Sequence, residues 1–241
     1  MSVGSIAEQP APAVAVTPLS IDRFRRQADL IPGEKISRIN CTVVGVGAVG
    51  RQLALMLAAI GAKRLTLVDF DLVDISNMTT QGYGLNDVTR PKVDVVSDEI
   101  RHRYSDVATI PIYDEFRTKY NGSQAVFCCV DSIRARTSIW DSVCSDMQFW
   151  GDTRMLGETI RILTASALDA PSYGVYRSSL FDETQAEPGR CTAASTVYTA
   201  ALAAGLMVHQ FSRWLRGQQT DRDLLLSLPA SMMEAFPDGM G

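Results

Sequence analysis

Zinc-binding patterns are missing from this sequence. It contains no C-x-x-C pair, and its two histidines, His102 and His209, are far apart. Five cysteines are scattered at positions 41, 128, 129, 144 and 191. An odd number without the spacing of a disulfide framework indicates a reducing compartment, and no zinc site is expected.

Membrane and nucleic-acid signals are also missing. No apolar run reaches the roughly 18 residues that a membrane-spanning helix needs, and the first residues lack a basic region followed by an apolar segment. The net charge is −4 at pH 7, without the clustered Lys and Arg that a nucleic-acid backbone attracts. We therefore expect no membrane partner, no nucleic-acid partner and a cytoplasmic location.

The most informative stretch is TVVGVGAVG, from Thr42 to Gly50. It predicts a short buried strand that turns into a helix at Arg51–Ile60. Gly45, Gly47 and Gly50 fit G-x-G-x-x-G, in which the first glycine permits a tight turn, the second admits a phosphate, and the third lets helix and strand pack closely. The helix N-terminus would attract an anion. The alternative is a glycine turn that serves packing alone.

Two carboxylates follow predicted strands. The run Arg64–Val68 ends in Asp69, about twenty residues beyond the glycines, where a ribose-binding acid is expected. The run Gln124–Val130 ends in Asp131. Because ligands bind at the carboxyl ends of parallel strands, both acids should lie near the glycine turn. Mg²⁺ takes one or two carboxylates beside phosphate oxygens, so Asp131 is the candidate metal ligand. It is also a candidate N-cap for the next helix.

Lys92 follows Pro91 at the start of a predicted helix, Lys92–Tyr104. An ammonium group at a helix N-terminus opposes the helix dipole, so a purely structural reason for this lysine is poor. A neighbouring phosphate would explain it. Lys92 is therefore a candidate phosphate ligand.

The pattern as a whole predicts an α/β fold, with a Rossmann-like doubly wound sheet that is mainly parallel and has an antiparallel C-terminal extension. In the extension, Ile160–Leu168 and Ser172–Tyr176 are predicted strands, and Thr192–Leu215 is the longest predicted helix. Residues 1–20 are rich in Ala, Pro and Val and are expected to form a flexible tail. Residues 21–241 are expected to form a single domain.

Further motifs occur in a fixed order along the chain. They are R-F-R-R-Q at Arg23–Gln27, the glycine turn, V-D-F-D at Val68–Asp71, S-N-M-T-T-Q at Ser76–Gln81, P-K-V at Pro91–Val93, C-V-D-S-I-R-A-R at Cys129–Arg136, and the Cys191 segment before the long helix. Together they resemble the ThiF/MoeB/E1-like family, the enzymes that adenylate ubiquitin-like proteins and sulfur carriers. The resemblance covers most of residues 23–215.

The resemblance implies ATP-dependent adenylation of a carrier protein's C-terminal carboxylate, with ATP and Mg²⁺ as cofactors. In this family's arrangement Asp69 would hold the ribose, Lys92 the phosphates and Asp131 the Mg²⁺. The remaining residues that the resemblance assigns to the nucleotide pocket are Asp71, Asn77 and Gln81.

The resemblance also implies partners. Arg26 matches the arginine that members of the family offer to the ATP of a neighbouring subunit, which implies a homodimer or an E1-like heterodimer. The substrate would be the C-terminus of a ubiquitin-like or sulfur-carrier protein, with an E2-like protein as a candidate acceptor.

The sequence departs from the family pattern at two places. The family loop usually reads S-N-x-x-R-Q, but Thr80 stands where the arginine belongs. One phosphate-binding cation is therefore missing unless Arg23, Arg25 or Arg90 replaces it. The paired C-x-x-C zinc motif of bacterial sulfur-carrier activators is also absent, which favours a divergent member that serves a ubiquitin-like conjugation system.

Cys191 is the candidate nucleophile. It lies in a Pro-Gly loop before the long helix, and a helix N-terminus lowers the pKa of a thiol. By position it resembles the cysteine that receives the activated carrier as a thioester. The alternative is an unreactive loop cysteine. The other four cysteines are expected to be buried packing residues.

Three functions remain open from the sequence. The first is an E1-like adenylating enzyme, with or without a thioester at Cys191. The second is a non-catalytic E1-like subunit that binds a carrier or an active partner, which the threonine at position 80 suggests. The third is a nicotinamide dehydrogenase, which explains the glycine turn and Asp69 but not Lys92, Asp131 or the N-terminal arginines.

Overall fold

The computed structural model describes residues 23–117, 122–181 and 196–239. The tail predicted for residues 1–20 and the segment around Cys191 lie outside the described residues. Within the described parts, no helix is long and apolar enough to span a membrane.

The described strands form one eight-stranded sheet. In chain order they are β1 (Asn40–Val44), β2 (Arg64–Asp69), β3 (Ala108–Tyr113), β4 (Ala125–Cys128), β5 (Phe149–Leu156), β6 (Thr159–Ser166), β7 (Asp223–Ser227) and β8 (Met232–Ala235). Their order across the sheet is β3-β2-β1-β4-β5-β6-β7-β8. The first five pair in parallel, and the remaining pairings are antiparallel. The predicted sheet, mainly parallel with an antiparallel extension, is confirmed.

Helices cover both faces of the sheet. They are α1 (Gly33–Arg38), α2 (Ala48–Ile60), α3 (Asn77–Gln81), α4 (Lys92–Arg103), α5 (Ile133–Val143), α6 (Pro171–Ser178) and α7 (Val197–Leu215), with 3₁₀ turns at Arg25–Gln27 and Leu85–Asp87. One buried cluster joins α2, α4 and α7 to the sheet. A second cluster joins α5 and α6 to the opposite face.

The central strands are apolar on both faces because both faces are covered. In β1, Val43 belongs to the cluster under α2 and α7, whereas its neighbour Val44 belongs to the cluster under α5. Successive side chains of a strand point to opposite faces, so a continuous apolar run is what a doubly covered strand requires. This is why β1, β2 and β4 could be identified from the sequence.

The strand predicted at Ser172–Tyr176 is wrong, because these residues lie in α6. Pro171 occupies the first turn of this helix, where its fixed backbone angle is favourable. The buried Tyr176 packs among aromatic side chains of α5 and β5. Five residues are too few to distinguish a strand from a short helix whose inward positions are three apart.

Candidate functional site

The candidate site lies where the direction of strand connections reverses. β1 is flanked by β2 on one side and β4 on the other, and in open α/β sheets such a switch point leaves a crevice at the carboxyl ends of the strands. The glycine turn follows β1, and Asp131 follows β4. The amide of Cys129 donates to the Val44 carbonyl at 2.8 Å, so the two connections lie side by side.

Gly45 and Gly50 give the turn its shape. Gly45 has a φ of +83°, a conformation that favours glycine, and a Cβ there would lie 2.9 Å from the carbonyl group of Cys129. A Cβ on Gly50 would lie 1.8 Å from the Gly45 carbonyl oxygen. The strand and the first turn of α2 therefore approach so closely that neither glycine can carry a side chain.

Gly47 differs from the other two glycines because a Cβ built on it would make only ordinary van der Waals contacts. The nearest atom to a Cβ built on it is the side-chain oxygen of Gln81, at 3.6 Å. That Gln81 oxygen is buried and has no hydrogen-bond partner. The helix α2 starts at the next residue, where N–H groups have no carbonyl partner within the helix. The turn thus combines free amide donors with a free amide side chain, a set suited to a phosphorylated ligand.

Asp69 holds the glycine turn from the end of β2. Its two carboxylate oxygens accept hydrogen bonds from the backbone N–H of Val46 at 2.7 Å and of Asp71 at 2.8 Å. Burial raises the pKa of Asp69 above its ordinary value, and these two N–H groups act in the opposite direction. Each oxygen keeps a second lone pair. A ribose contact therefore stays a prediction, beside a structural role that the sequence did not reveal.

Lys92 lies at the start of α4, as predicted, and is nearly fully buried. Its ammonium group donates to the Asp71 carboxylate at 2.8 Å, and its backbone N–H donates to the Asp71 carbonyl at 3.0 Å. The argument that this lysine lacks a structural reason is therefore wrong. Because the Asp71 side chain is about half exposed, the pair lies where a solvent-borne anion can approach it. Binding of phosphates by Lys92 stays a prediction.

Polar side chains before and within α3 make hydrogen bonds inside their own segment. The Asn77 side-chain oxygen accepts from the Asp74 backbone N–H at 3.0 Å. The Thr80 hydroxyl donates to the Ser76 carbonyl at 3.0 Å, so it is satisfied inside its own helix. Of the two residues predicted here to contact the nucleotide, Gln81 faces the glycine turn and Asn77 shapes the loop.

Asp131 does not cap α5, so that interpretation is wrong. The N-cap is Ser132, whose hydroxyl accepts from the Ala135 backbone N–H at 3.2 Å. The Asp131 side chain is exposed and makes no hydrogen bond or ion pair with any described residue. Its carboxylate therefore projects, unneutralised, from the carboxyl end of β4.

At this edge of the sheet, Asp131 offers one carboxylate to a metal ion. Among the described residues, no group of three or more His, Cys, Asp or Glu side chains could hold a metal ion. Mg²⁺ commonly binds one or two carboxylates and completes its shell with phosphate oxygens and water. The unneutralised Asp131 carboxylate beside the glycine turn fits such a site, with Asp131 as the residue that would hold the ion.

The family of this chain follows from a comparison with known protein families. The profile of the ThiF family matches residues 23–234. This chain belongs to the ThiF family. The nicotinamide alternative gains no support from this match.

Curated relatives are ubiquitin-like activating enzymes. The chain is 30% identical to ubiquitin-like modifier-activating enzyme 5 of Caenorhabditis elegans, over 76% of this chain and 49% of that protein. It is 28% identical to the NEDD8-activating enzyme E1 catalytic subunit of Arabidopsis thaliana, over 51% of this chain and 28% of that protein. The chain thus spans half or less of these relatives.

Solved structures share the fold. The structure of Escherichia coli MccB with ATP superposes with a TM-score of 0.74 at 14% identity, covering 92% of this chain and 73% of that one. The structure of PaaA superposes with a TM-score of 0.73 at 17% identity, covering 96% and 77%. At these identities the likeness concerns the fold alone.

In this ThiF-family chain, Arg26 lies at the opposite edge of the sheet from the glycine turn. The Gln27 side chain donates to the Ile60 carbonyl at the C-terminal end of α2, at 2.8 Å. Arg23 binds Asp106 through two hydrogen bonds, at 2.7 and 2.8 Å. Since α2 is 13 residues long, about 20 Å separates this segment from the turn. The exposed Arg26 is therefore not brought to the site of its own chain.

The predicted substitutes for the missing arginine differ in availability. Arg23 is engaged by Asp106, and Arg90 binds the Asp98 carboxylate at 2.5 Å. Arg25 is exposed, but it lies beside Arg26 at the far edge. No predicted substitute is positioned at the glycine turn of the same chain.

The cysteine predictions have mixed outcomes. Cys191 lies outside the described residues, so its role stays a prediction. Cys41 and Cys128 are buried as expected, and burial raises the pKa of each thiol to about 12. Cys129 and Cys144 are partly buried and pack against the two core clusters, so their packing role is confirmed although they are not fully buried.

A buried ion cluster next to Asp131 was missed. It consists of Arg136 in α5, Asp152 and Arg154 in β5, and Tyr176 in α6. Asp152 accepts from Arg136 at 2.9 Å, from Arg154 at 2.8 Å and from the Tyr176 hydroxyl at 3.1 Å. Burial opposes ionisation of Asp152, but the two guanidinium groups outweigh it and lower its pKa. The sequence signal for this cluster was the G-D-T-R stretch, in which Asp152 and Arg154 are two residues apart. Residues two apart lie on the same face of a strand.

Proposed function

We propose that this chain catalyses the ATP-dependent adenylation of the C-terminal carboxylate of a ubiquitin-like or sulfur-carrier protein. The observation that carries the proposal is the convergence of the glycine turn, the Lys92 ammonium and the unneutralised Asp131 carboxylate at one crevice of a ThiF-family fold. The names of the curated relatives, which are modifier-activating enzymes, support the same substrate class. The MccB structures that contain ATP or MccA support binding of a nucleotide and of a second molecule by this fold.

The reaction joins two anions. A carboxylate oxygen of the carrier attacks the α-phosphorus of ATP, the bond to the bridging oxygen breaks, and pyrophosphate leaves with that electron pair. Catalysis therefore depends on positive groups placed in advance around the phosphates. In the proposal, the N–H groups after Gly47 hold phosphate oxygens, Lys92 faces the phosphates, and Asp131 holds Mg²⁺, which would neutralise phosphate charge.

The same proposal includes a second subunit. A cation is needed where Thr80 replaces arginine, and Arg26 of the same chain lies about one helix length away. A symmetric partner that brings its own Arg26 to this crevice would supply the cation. We therefore propose a homodimer, or an E1-like heterodimer, with Arg26 acting on the neighbouring site.

A thioester at Cys191 is a further step of the proposal. The Cys191 thiolate would attack the carbonyl carbon of the acyl adenylate, and AMP would leave. An E2-like protein would then accept the carrier from the thioester.

Pyrophosphate exchange into ATP tests the adenylation step. With a candidate carrier and Mg²⁺ present, the wild-type chain is expected to catalyse exchange, and Lys92→Met is expected to reduce the rate about 100-fold because a phosphate-facing cation is lost. Lys63→Met is the matched control. Lys63 is also an ion-paired lysine, bound to Asp106, but it lies beside the N-terminal segment, and this variant should exchange at the wild-type rate.

Two results would contradict this proposal. One is the absence of carrier-dependent exchange in the wild-type chain with every carrier encoded beside it. The other is an equal loss in Lys92→Met and Lys63→Met, which would point to a general effect of removing a lysine.

The second candidate function is a non-catalytic E1-like subunit that binds a carrier or an active partner. The observation that favours it is Thr80, whose hydroxyl is used within α3 while Arg23 and Arg90 are held in ion pairs elsewhere. Under this function the wild-type chain binds a carrier without consuming ATP.

Thr80→Arg distinguishes the two functions. If the chain is a subunit that lost activity at this position, the variant is expected to gain exchange of at least about tenfold, since one phosphate-binding cation is restored. Thr79→Arg, one residue earlier in α3, is the control for an added charge. An enzyme that already exchanges rapidly as wild type, and gains nothing from Thr80→Arg, excludes the non-catalytic function.

A further inference from the structure

The buried ion cluster lies directly beneath the loop that carries Asp131. Cys128 in β4 is paired in register with Asp152 in β5, so the cluster begins beside the last residue of β4. Asp152 is fully buried, and the Arg136 side chain is 7% exposed. Two guanidinium groups on one carboxylate leave a net positive charge inside the protein, an arrangement that is costly unless its geometry is well satisfied.

One guanidinium of the cluster is shared with the Asp131 loop. The Nε of Arg136 donates to Asp152 at 2.9 Å, and a terminal nitrogen of the same group donates to the Asp131 backbone carbonyl at 3.2 Å. The second arginine, Arg154, has a different set of partners. It binds Asp152 at 2.8 Å and the carbonyl and hydroxyl of Ser179, both at 3.0 Å, and within the described residues it makes no hydrogen bond to the loop of Asp131.

The pairing keeps the Asp131 carboxylate unneutralised. Arg136 lies five residues after Asp131 and already touches its carbonyl, so Asp131 would be an accessible partner for its charge. Instead, the charge of Arg136 is taken by Asp152, which is buried and unable to reach solvent. The backbone of Asp131 is thereby held by a strong donor, while its side chain projects without a partner among the described residues.

We propose that Arg136, oriented by Asp152, is a positioning residue for the metal-binding carboxylate of Asp131. The inference rests on the proposed function, because it assigns the Mg²⁺ site to Asp131. Arg136 does not touch nucleotide or metal. It holds the main chain from which the carboxylate projects, and Asp152 prevents it from forming an ion pair with that carboxylate. Replacing a residue that orients a metal ligand in this way typically weakens metal binding 10- to 100-fold.

The test compares Arg136→Lys with Arg154→Lys. Lysine at position 136 can still pair with Asp152, but a single ammonium group lacks the fork that lets arginine also reach the Asp131 carbonyl. Arg136→Lys is expected to raise the Mg²⁺ concentration for half-maximal pyrophosphate exchange about tenfold. The rate at saturating Mg²⁺ should stay within about twofold of the wild-type rate. Arg154→Lys keeps the same charge on Asp152 and should leave the Mg²⁺ dependence unchanged.

Hydrogen exchange gives a readout that needs neither metal nor activity. The backbone amides of residues 129–132 are expected to exchange about tenfold faster in Arg136→Lys, and at the wild-type rate in Arg154→Lys. If Arg136→Lys does not fold, Arg136→Gln is the second variant, because Arg154 still neutralises Asp152 in it. It should show the same two changes.

The outcomes separate the two proposals. If the wild-type chain shows no pyrophosphate exchange, the adenylation proposal is overturned. Hydrogen exchange of the amides of residues 129–132 still reports whether Arg136 anchors the loop. A normal Mg²⁺ dependence in Arg136→Lys, or an equal shift in both lysine variants, overturns the positioning role of Arg136 even if adenylation is established.

Discussion

Gly50→Ala is expected to destabilise the protein by at least about 3 kcal/mol, a loss at the upper end of what overpacking usually causes. The added Cβ would lie 1.8 Å from the Gly45 carbonyl oxygen and 2.9 Å from its carbon, and both are main-chain atoms. No rotation of a side chain can relieve this contact, so the helix must move away from the turn. For a chain of this length the loss corresponds to a fall in melting temperature of about 10 °C, measured by calorimetry.

Gly205→Ala is the matched control because it also adds one methyl group to a helical glycine. In α7 a Cβ at position 205 meets no atom within 4 Å. Since alanine is a better helix former than glycine, this variant should be stabilised by about 0.5 to 1 kcal/mol. A Gly50→Ala protein that melts within about 2 °C of the wild type would show that the turn can open without loss.

Arg26→Ala and Asp131→Ala are each expected to reduce carrier-dependent pyrophosphate exchange about 1000-fold, the scale seen when a partner-supplied arginine is lost. A 1:1 mixture of the two inactive proteins, after subunit exchange, should recover about a quarter of the wild-type rate. Half of the dimers would be mixed, and one of their two sites would combine an intact Asp131 with the partner's intact Arg26, as two-fold symmetry requires.

The control is a 1:1 mixture of the Arg38→Ala protein and the Asp131→Ala protein. Arg38 is an exposed arginine of α1 that pairs with Glu34, so Arg38→Ala should be active by itself. Failure of the Arg26 and Asp131 variants to complement each other, although they form mixed dimers by mass spectrometry, would exclude action of Arg26 on a neighbouring site. Full activity of Arg26→Ala alone would exclude its role entirely.

Much of the fold could be predicted because its signals are local. A doubly covered strand is apolar at every position, so β1, β2 and β4 were recognisable. The glycine turn could be identified because a sharp turn and a close helix approach each exclude side chains, as the contacts of Gly45 and Gly50 illustrate. The error at α6 arose where the pattern was five residues long, too short to define a period.

Less of the candidate site could be predicted, because its contacts join residues that are distant in the chain. The sequence placed Lys92 at a helix start, but not the Asp71 carboxylate that neutralises it from 21 residues away. It placed Asp131 after a strand, but not Ser132 as the cap or Asp152 as the partner of Arg136.

By itself, then, the sequence determined the succession of the parallel strands β1 to β4 with the helices α2, α4 and α5, the glycine turn, and the edge of the sheet at which the acids and the lysine lie. Periodicity and glycine placement are properties of neighbouring residues, so they can be recognised without knowing the tertiary structure. Only the tertiary structure decided which charges are neutralised and which remain free. That depends on strand register and on helix packing, which set the few ångströms over which an ion pair forms or fails to form.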